Sequence, residues 1–147
     1  MKDRLGCMLA ICWCALLLAS PAAAQSVEWK TLNQEAMTLY RQGRYDQAVV
    51  VAKKALEIAE RDLGPNHPAV AASLNNLAEL YRAQGQNALA EPLYKRSLAI
   101  HEKTLGPNHP SVATSLENIS ALYTKMGKTD EAKKLTDRAA KIRELKR

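Results

Sequence analysis

The chain has 147 residues, with 21 Lys and Arg against 15 Asp and Glu and a formal net charge of +6. This length fits a single domain with one core. Aromatic residues make up 5% of the chain and Phe is absent. That composition favours closely packed helices and argues against a β-sandwich or barrel.

The first 24 residues have the pattern of a secretory leader. Lys2 and Arg4 precede the apolar run Leu5–Ala19, and Ser-Pro-Ala-Ala-Ala follows it. This pattern predicts cleavage between Ala24 and Gln25 and export of the protein to the periplasm or the exterior of a bacterial cell. A retained membrane anchor is the alternative, but the apolar run is shorter than the ~20 residues that a spanning helix needs.

All three cysteines, Cys7, Cys12 and Cys14, lie within this predicted leader. A chain cleaved after Ala24 would therefore have no disulfide, thiol nucleophile or cysteine metal site. The residues before Cys14 do not fit a lipoprotein processing site. We expect no lipid anchor and no stable membrane insertion after cleavage.

An internal repeat organises the rest of the chain. Leu-Gly-Pro-Asn-His-Pro occurs at Leu63–Pro68 and again at Leu105–Pro110, a step of 42 residues. Gly43, Gly85 and Gly127 are separated by the same step. A period of about 20–50 residues predicts a repeat architecture.

In chain order, the pattern predicts three pairs of helices. Ser26 is the predicted N-cap of the first helix, and the turn Gln42–Arg44 separates it from a second helix, from about Tyr45 to Arg61. Each Gly-Pro-Asn-His-Pro segment ends one helix and begins the next, with proline at the first helical position. The four remaining predicted helices are Pro68–Ala83, Ala88–Leu105, Pro110–Met126 and Thr129–Leu145.

Small and bulky residues recur at fixed positions of the repeat, which indicates close helix packing. Three positions hold only small residues: Ala36, Ala78 and Ser120 at the first, Ala48, Ala90 and Ala132 at the second, and Ala55, Ser97 and Ala139 at the third. The pattern of the second repeat resembles the tetratricopeptide repeat. Its matching residues are Leu74, Leu77, Ala78, Tyr81, Gly85, Ala90 and Tyr94.

The 42-residue period and the segment Ala90–Leu98 are similar to the kinesin-light-chain type of this repeat. The resemblance extends from Trp29 to about Lys141. It is weakest in the first repeat, where Glu35 stands at the position of Leu77. It implies an all-α fold, a right-handed superhelical stack of three helix-turn-helix hairpins. The domain would span residues 25–147, with repeats at about 26–63, 68–105 and 110–145.

In such a stack the first helix of each repeat lines a concave groove. Amide and cationic side chains there suit an extended peptide, whose backbone needs both donors and acceptors. By resemblance, Asn76 and Asn118 bond the ligand backbone; bonding within the repeat is the alternative. The predicted groove residues are Lys30, Asn33, Gln34, Met37, Arg41, Asn75, Asn76, Glu79, Arg82, Thr114, Glu117, Asn118, Ala121 and Lys125.

The histidines offer little support for a metal site. His67 and His109 recur at one position of the inter-repeat segment without acidic or cysteine partners at ligand spacing, so local capping is favoured. His101 lies beside Glu102 in a helix and is predicted to be solvated. The sequence also contains no phosphate-binding loop and no recognisable catalytic motif. We therefore expect no catalytic residue, cofactor or metal.

The resulting prediction is a non-enzymatic adaptor or scaffold that binds a peptide or protein segment in its groove. One alternative is a structural subunit that docks in an envelope complex through its convex face or end repeats. Another is a basic surface for nucleic acid or anionic lipid. It is disfavoured because the C-terminal segment lacks aromatic residues and contains Asp137 and Glu144. Three repeats are about the minimum for a stable stack, which leaves self-association open.

Overall fold

The computed structural model describes residues 21–145, and the side chains of residues 27–145. Regular structure in this part of the chain is entirely helical. Repeat 1 is α1–α2, repeat 2 is α3–α4 and repeat 3 is α5–α6. The helices are α1 Pro21–Arg41, α2 Tyr45–Leu63, α3 Pro68–Ala83, α4 Asn87–Leu105, α5 Pro110–Lys125 and α6 Thr129–Glu144.

The first helix begins earlier than the sequence predicted. Because α1 is helical from Pro21, Ser26 lies inside the helix, and its prediction as the N-cap is wrong. Proline suits a first helical position, and the three alanines that follow have the highest helix propensity. The other predicted boundaries lie within two residues of those observed. Most of the predicted leader lies outside the described residues, and the predicted cleavage bond after Ala24 lies within α1.

The turn inside each repeat has the same geometry three times. Gly43, Gly85 and Gly127 have φ values of 73°, 74° and 75°. In repeat 1 the amide N of Arg44 donates to the carbonyl O of Leu39 at 3.0 Å, and the corresponding bonds recur in repeats 2 and 3. This is the hydrogen bonding of a Schellman motif, in which glycine takes the left-handed position.

In each segment between repeats, a histidine caps the N-terminus of the following helix. His67 Nδ1 accepts a hydrogen bond from Ala69 N, and His109 Nδ1 accepts one from Ser111 N, each at 3.1 Å. Each histidine is the N-cap of the following helix, whose first residue is proline. The predicted local role of His67 and His109 is therefore confirmed.

The helices pack in pairs, and the pairs pack in sequence. α1 packs on α2, α3 on α4 and α5 on α6, while α2 contacts α3 and α4 contacts α5. Ala36, Ala48, Ala78 and Ala90, which belong to two of the three small-residue positions, are fully buried. Small side chains at these crossings let the helix backbones approach, so each repeat buries its apolar face against the next.

Candidate functional site

Two adjoining cavities lie along the face formed by α1, α3 and α5, and we call this face the groove. The first has a volume of about 450 Å³ and is lined by Asn33, Gln34, Met37, Thr38, Arg41 and Asn76. The second has a volume of about 330 Å³ and is lined chiefly by Asn75, Asn76, His101, Ser111, Thr114 and Asn118. Asn76 lines both cavities, so the two form one continuous surface across all three repeats.

Three residues of the lining were absent from the predicted set, in addition to His101. Ala72 lies at the repeat position of Thr114, which was predicted, so the repeat itself would have identified it. Thr38 and Ser111 lie on first helices, one in each cavity. Their polarity and the 42-residue register were the only signals available.

In the first cavity, the asparagines are tied into the stack. Asn76 Nδ2 donates to Asn33 Oδ1 at 2.9 Å, which joins α3 to α1. Asn33 Nδ2 in turn donates to the carbonyl O of Trp29 at 3.0 Å and approaches Ser73 Oγ at 3.3 Å. Trp29 Nε1 donates to the same Ser73 oxygen at 2.6 Å. Asn76 is thus bonded to the neighbouring repeat, whereas the structural alternative predicted from the sequence was a bond within its own repeat.

The second cavity has the same residue positions with different bonding. Asn75 and Asn118 stand 42 residues after Asn33 and Asn76, but within residues 27–145 no hydrogen bond joins them. Asn75 Oδ1 is buried and has no hydrogen-bond partner among the described residues. The amide of Asn118 lines the cavity wall and is not bound to any side chain that the structure describes.

His101 explains part of this difference between the two cavities. Its Nδ1 lies 3.0 Å from Ser115 Oγ, whose counterpart Ser73 bonds Trp29 and Asn33 in the first cavity. His101 is 7% exposed, so its prediction as a solvated side chain is wrong. Burial, together with the nearby positive charge that His109 can carry, lowers the pKa of His101. The imidazole is therefore held in its neutral form at the cavity wall.

Two predicted groove residues are instead engaged inside the stack. The carboxylate of Glu79 accepts hydrogen bonds from Arg82 Nε at 2.9 Å, Tyr94 Oη at 2.7 Å and Tyr40 Oη at 3.2 Å. Burial disfavours the charged carboxylate, but the donors outweigh it and lower the pKa of Glu79. Glu79 and Arg82 neutralise each other and line neither cavity.

The remaining predicted residues lie at the margins. Glu117 pairs with Arg143 of α6 at 2.7 Å, and the hydrogen bonds from Arg143 lower the pKa of that carboxyl. Lys30 and Lys125 are exposed and line neither cavity. Ala121 is also exposed. Among the residues that line the two cavities, Arg41 alone carries a formal charge, so the groove is chiefly a surface of amides and hydroxyls.

The described part of the chain provides neither a metal-ligand cluster nor a membrane-spanning helix. Within it, no three His, Cys, Asp or Glu side chains are grouped so that they could hold a metal ion. Its helices include none that is long and apolar enough to cross a membrane.

The fold and the groove define an all-α helical-repeat protein of the class that mediates protein–protein interaction. The family model of the tetratricopeptide repeat matches residues 30–103 and 73–144. The chain therefore belongs to the tetratricopeptide-repeat family, and its repeats are of the kinesin-light-chain-like type, as the sequence predicted. No curated protein matches the chain.

Three solved structures place the fold among known proteins. BtubC (BKLC) from P. vanneervenii has a TM-score of 0.77 and 26% identity, over 82% of this chain and 48% of that one. A structure of a Podosopora anserina putative kinesin light chain with nearly identical TPR-like repeats has a TM-score of 0.71 and 28% identity. The match covers 85% of this chain and 57% of that one. The TPR domain of Arabidopsis FLU has a TM-score of 0.71 and 21% identity, over 82% of this chain and 98% of that one. At this identity the likeness shows a shared fold and nothing further. The chain spans about half the length of the first two structures.

Proposed function

We propose that this protein is a non-enzymatic adaptor or scaffold that binds an extended peptide or protein segment along the groove. The observation that carries the proposal is the continuous row of amide side chains that crosses both cavities, from Asn33 through Asn76 to Asn118. A carboxamide both donates and accepts hydrogen bonds, as does each peptide unit of an extended ligand. Such a surface matches a peptide backbone whatever its side chains are.

The second cavity is the stronger half of the proposed site. In the first cavity, the amides of Asn33 and Asn76 already satisfy each other at 2.9 Å. In the second, Asn118 offers its amide, and the lining carries hydroxyl groups from Ser111 and Thr114 without a formal charge. We infer that Asn118 contributes more binding free energy than Asn76, because a ligand need not displace an existing partner.

Site-specific photo-crosslinking tests which face binds the partner. A photoreactive residue at Gln34 or Thr114, both exposed in the groove, should capture the partner in native cell extracts. The matched controls are Val50 on α2 and Leu89 on α4, which are 68% and 51% exposed and line neither cavity. Capture of the same partner from Val50 or Leu89 but not from the groove would refute groove binding and favour docking through the other face.

A single substitution then measures the contribution of the second cavity. Asn118→Ala should weaken binding of the captured partner about tenfold or more, since a buried hydrogen bond left unmade costs about 1–3 kcal/mol. Lys103→Ala, an exposed change on α4 outside the groove, should leave affinity unchanged. Equal affinity of the Asn118 variant and the unmodified protein would contradict the assigned role.

We further propose that the protein is exported and that residues 1–24 are removed. The support is the leader pattern together with the position of Trp29, the first side chain of the described residues that packs against a core cluster. Cleavage after Ala24 would shorten α1 by about one turn and would leave Trp29 and every other described side chain in the chain. Mass spectrometry of the protein from an envelope fraction should find Gln25 at the N-terminus, whereas an intact Met1 would refute cleavage.

A further inference from the structure

An ion pair between second helices recurs with the repeat period. Arg96 Nη1 of α4 lies 2.6 Å from Glu60 Oε1 of α2, and Arg138 Nη2 of α6 lies 2.6 Å from Glu102 Oε1 of α4. One step of 42 residues relates these two pairs. The same step places Glu144, at the end of α6, at the position of Glu60 and Glu102. In the opposite direction it places Lys54 of α2 at the position of Arg96 and Arg138, so the two ends of the series carry opposite charges.

A second contact between repeats is apolar at the first junction and has charged residues at both ends of the stack. Leu77 of α3 is 3% exposed and lies in one buried cluster with Val49 of α2. At the start of the stack the position of Leu77 is taken by Glu35 of α1, which is exposed. At the other end the position of Val49 is taken by Lys133 of α6, whose side chain is 76% exposed. The apolar contact of the first junction thus corresponds to an acidic and a basic residue on the two outer faces, and at the second junction the same two positions hold Ile119 and Glu91.

A third position shows the same change. Val70 of α3 and Ala59 of α2 are fully buried in one cluster. The corresponding residues on the outer faces are Glu28 of α1 and Arg143 of α6, both exposed. The residues that replace an apolar inter-repeat contact are acidic on α1 and basic on α6 in both cases.

We propose that the α1 end of one copy binds the α6 end of a second copy, so that the stack of repeats continues from molecule to molecule. The step that relates neighbouring repeats would bring Glu35 of one copy to Lys133 of the next, Glu28 to Arg143, and Lys54 to Glu144. All three contacts join opposite charges. A head-to-tail contact of this kind does not close on itself, and it generates an open chain of copies.

The chemistry of the two faces sets the strength of this association. Charged residues stand where the first junction has Leu77, Val49 and Val70, so contact between the two end faces buries less apolar area at these positions. Lys133 and Arg143 also have partners in their own chain, Asp137 at 2.9 Å and Glu117 at 2.7 Å. Exposed pairs of this kind are weak and exchange readily. The association is therefore weak and sensitive to ionic strength.

Sedimentation equilibrium of the purified chain tests the proposal. At an ionic strength of about 0.01 M, where charges act over ~30 Å, we expect association that increases with protein concentration. At about 1 M, where the range falls to ~3 Å, we expect monomers. A monomer at both ionic strengths, or association unaffected by salt, overturns the proposal.

Charge reversal identifies the faces that take part. Glu35→Lys and Lys133→Glu should each weaken association roughly fivefold. Lys103→Glu on α4, which changes net charge as much as Lys133→Glu, is the matched control and should have little effect. Circular dichroism verifies that every variant remains helical.

Mixing the two variants distinguishes a head-to-tail contact from other modes of association. The reversed α1 face of the Glu35→Lys variant is complementary to the reversed α6 face of the Lys133→Glu variant. An equimolar mixture should therefore associate more strongly than either variant alone. A mixture that remains as weakly associated as its components overturns the head-to-tail arrangement, as does an effect of Lys103→Glu equal to that of Lys133→Glu.

Discussion

The amide of Asn76 donates to Oδ1 of Asn33 at 2.9 Å and thereby ties repeat 2 to repeat 1 along the groove. Asn118, one repeat later, has no such bond to any side chain described by the structure. One position of the repeat therefore joins two repeats at the first junction and has no side-chain partner among the described residues at the second. The serines behind the two asparagines differ in the same way, since Ser115 bonds His101 whereas its counterpart Ser73 bonds Trp29 and Asn33.

The two asparagines should consequently differ in their effects on stability. Asn76→Ala should lower the free energy of unfolding by about 1 kcal/mol, because it leaves Oδ1 of Asn33 without its hydrogen-bond donor. Asn118→Ala should change stability by less than about 0.5 kcal/mol. Urea denaturation monitored by circular dichroism measures both values. Equal losses in the two variants would show that the asparagines are not distinguished in this way.

The sequence predicted the helices, the turns and most of the groove lining because each depends on local chemistry repeated at a fixed step. Gly43 and its counterparts, and the His-Pro pairs, determine where helices end and begin without reference to distant residues. The resemblance then assigned the first helices to one face. The charge pattern of the two end faces could not be predicted from the sequence alone. It requires the 42-residue step together with the observed packing between repeats, because Glu35 and Lys133 lie far apart in one chain.

Two of the predictions that failed concern side chains whose partners lie on other helices. His101 was predicted to be solvated, although Ala59 at the same position of repeat 1 is a buried small residue. Glu79 was placed in the groove because it lies on a first helix. Its partners Tyr40 and Tyr94 come from two other helices, which the pattern of α3 alone does not reveal.

The Glu79 cluster should contribute measurably to stability. Tyr94 is fully buried, and its hydroxyl donates to Glu79 at 2.7 Å. Tyr94→Phe should lower the free energy of unfolding by about 1.5–3 kcal/mol, the range for a hydrogen bond to a charged group. Tyr45→Phe is the matched control, since no hydrogen bond of the Tyr45 hydroxyl occurs within the described residues. A loss for Tyr94→Phe no larger than for the control would contradict a stabilising role for this bond.

The glycine between repeats 2 and 3 should be intolerant of a side chain for backbone reasons alone. Gly106 has φ 90° and ψ 155°, a region populated almost only by glycine. A Cβ added there would meet no atom within 4 Å, so the effect of Gly106→Ala is backbone strain of about 1–3 kcal/mol. Gly43→Asn is the comparison, because at φ 73° asparagine is tolerated in the left-handed region. Thermal denaturation should show the larger loss for Gly106→Ala, and the reverse order would refute the assignment.

The buried imidazole of His101 should make stability depend on pH. Burial, with the nearby His109, lowers the pKa of His101 in the folded protein below the value of about 6.5 expected in the unfolded chain. Between these two pKa values the unfolded chain binds more protons, so the free energy of unfolding falls as pH decreases below about 6.5. Above that pH His101 is neutral in both states and its contribution to the free energy of unfolding is constant.

The variant His101→Gln tests this pH dependence, because it removes the titrating group and keeps a side-chain amide that can donate to Ser115. Between about pH 7.5 and pH 5, the free energy of unfolding of the variant should fall less than that of the unmodified protein. Urea denaturation of both proteins across this range provides the measurement, and the other histidines are common to both. Parallel pH profiles would show that protonation of His101 does not oppose folding.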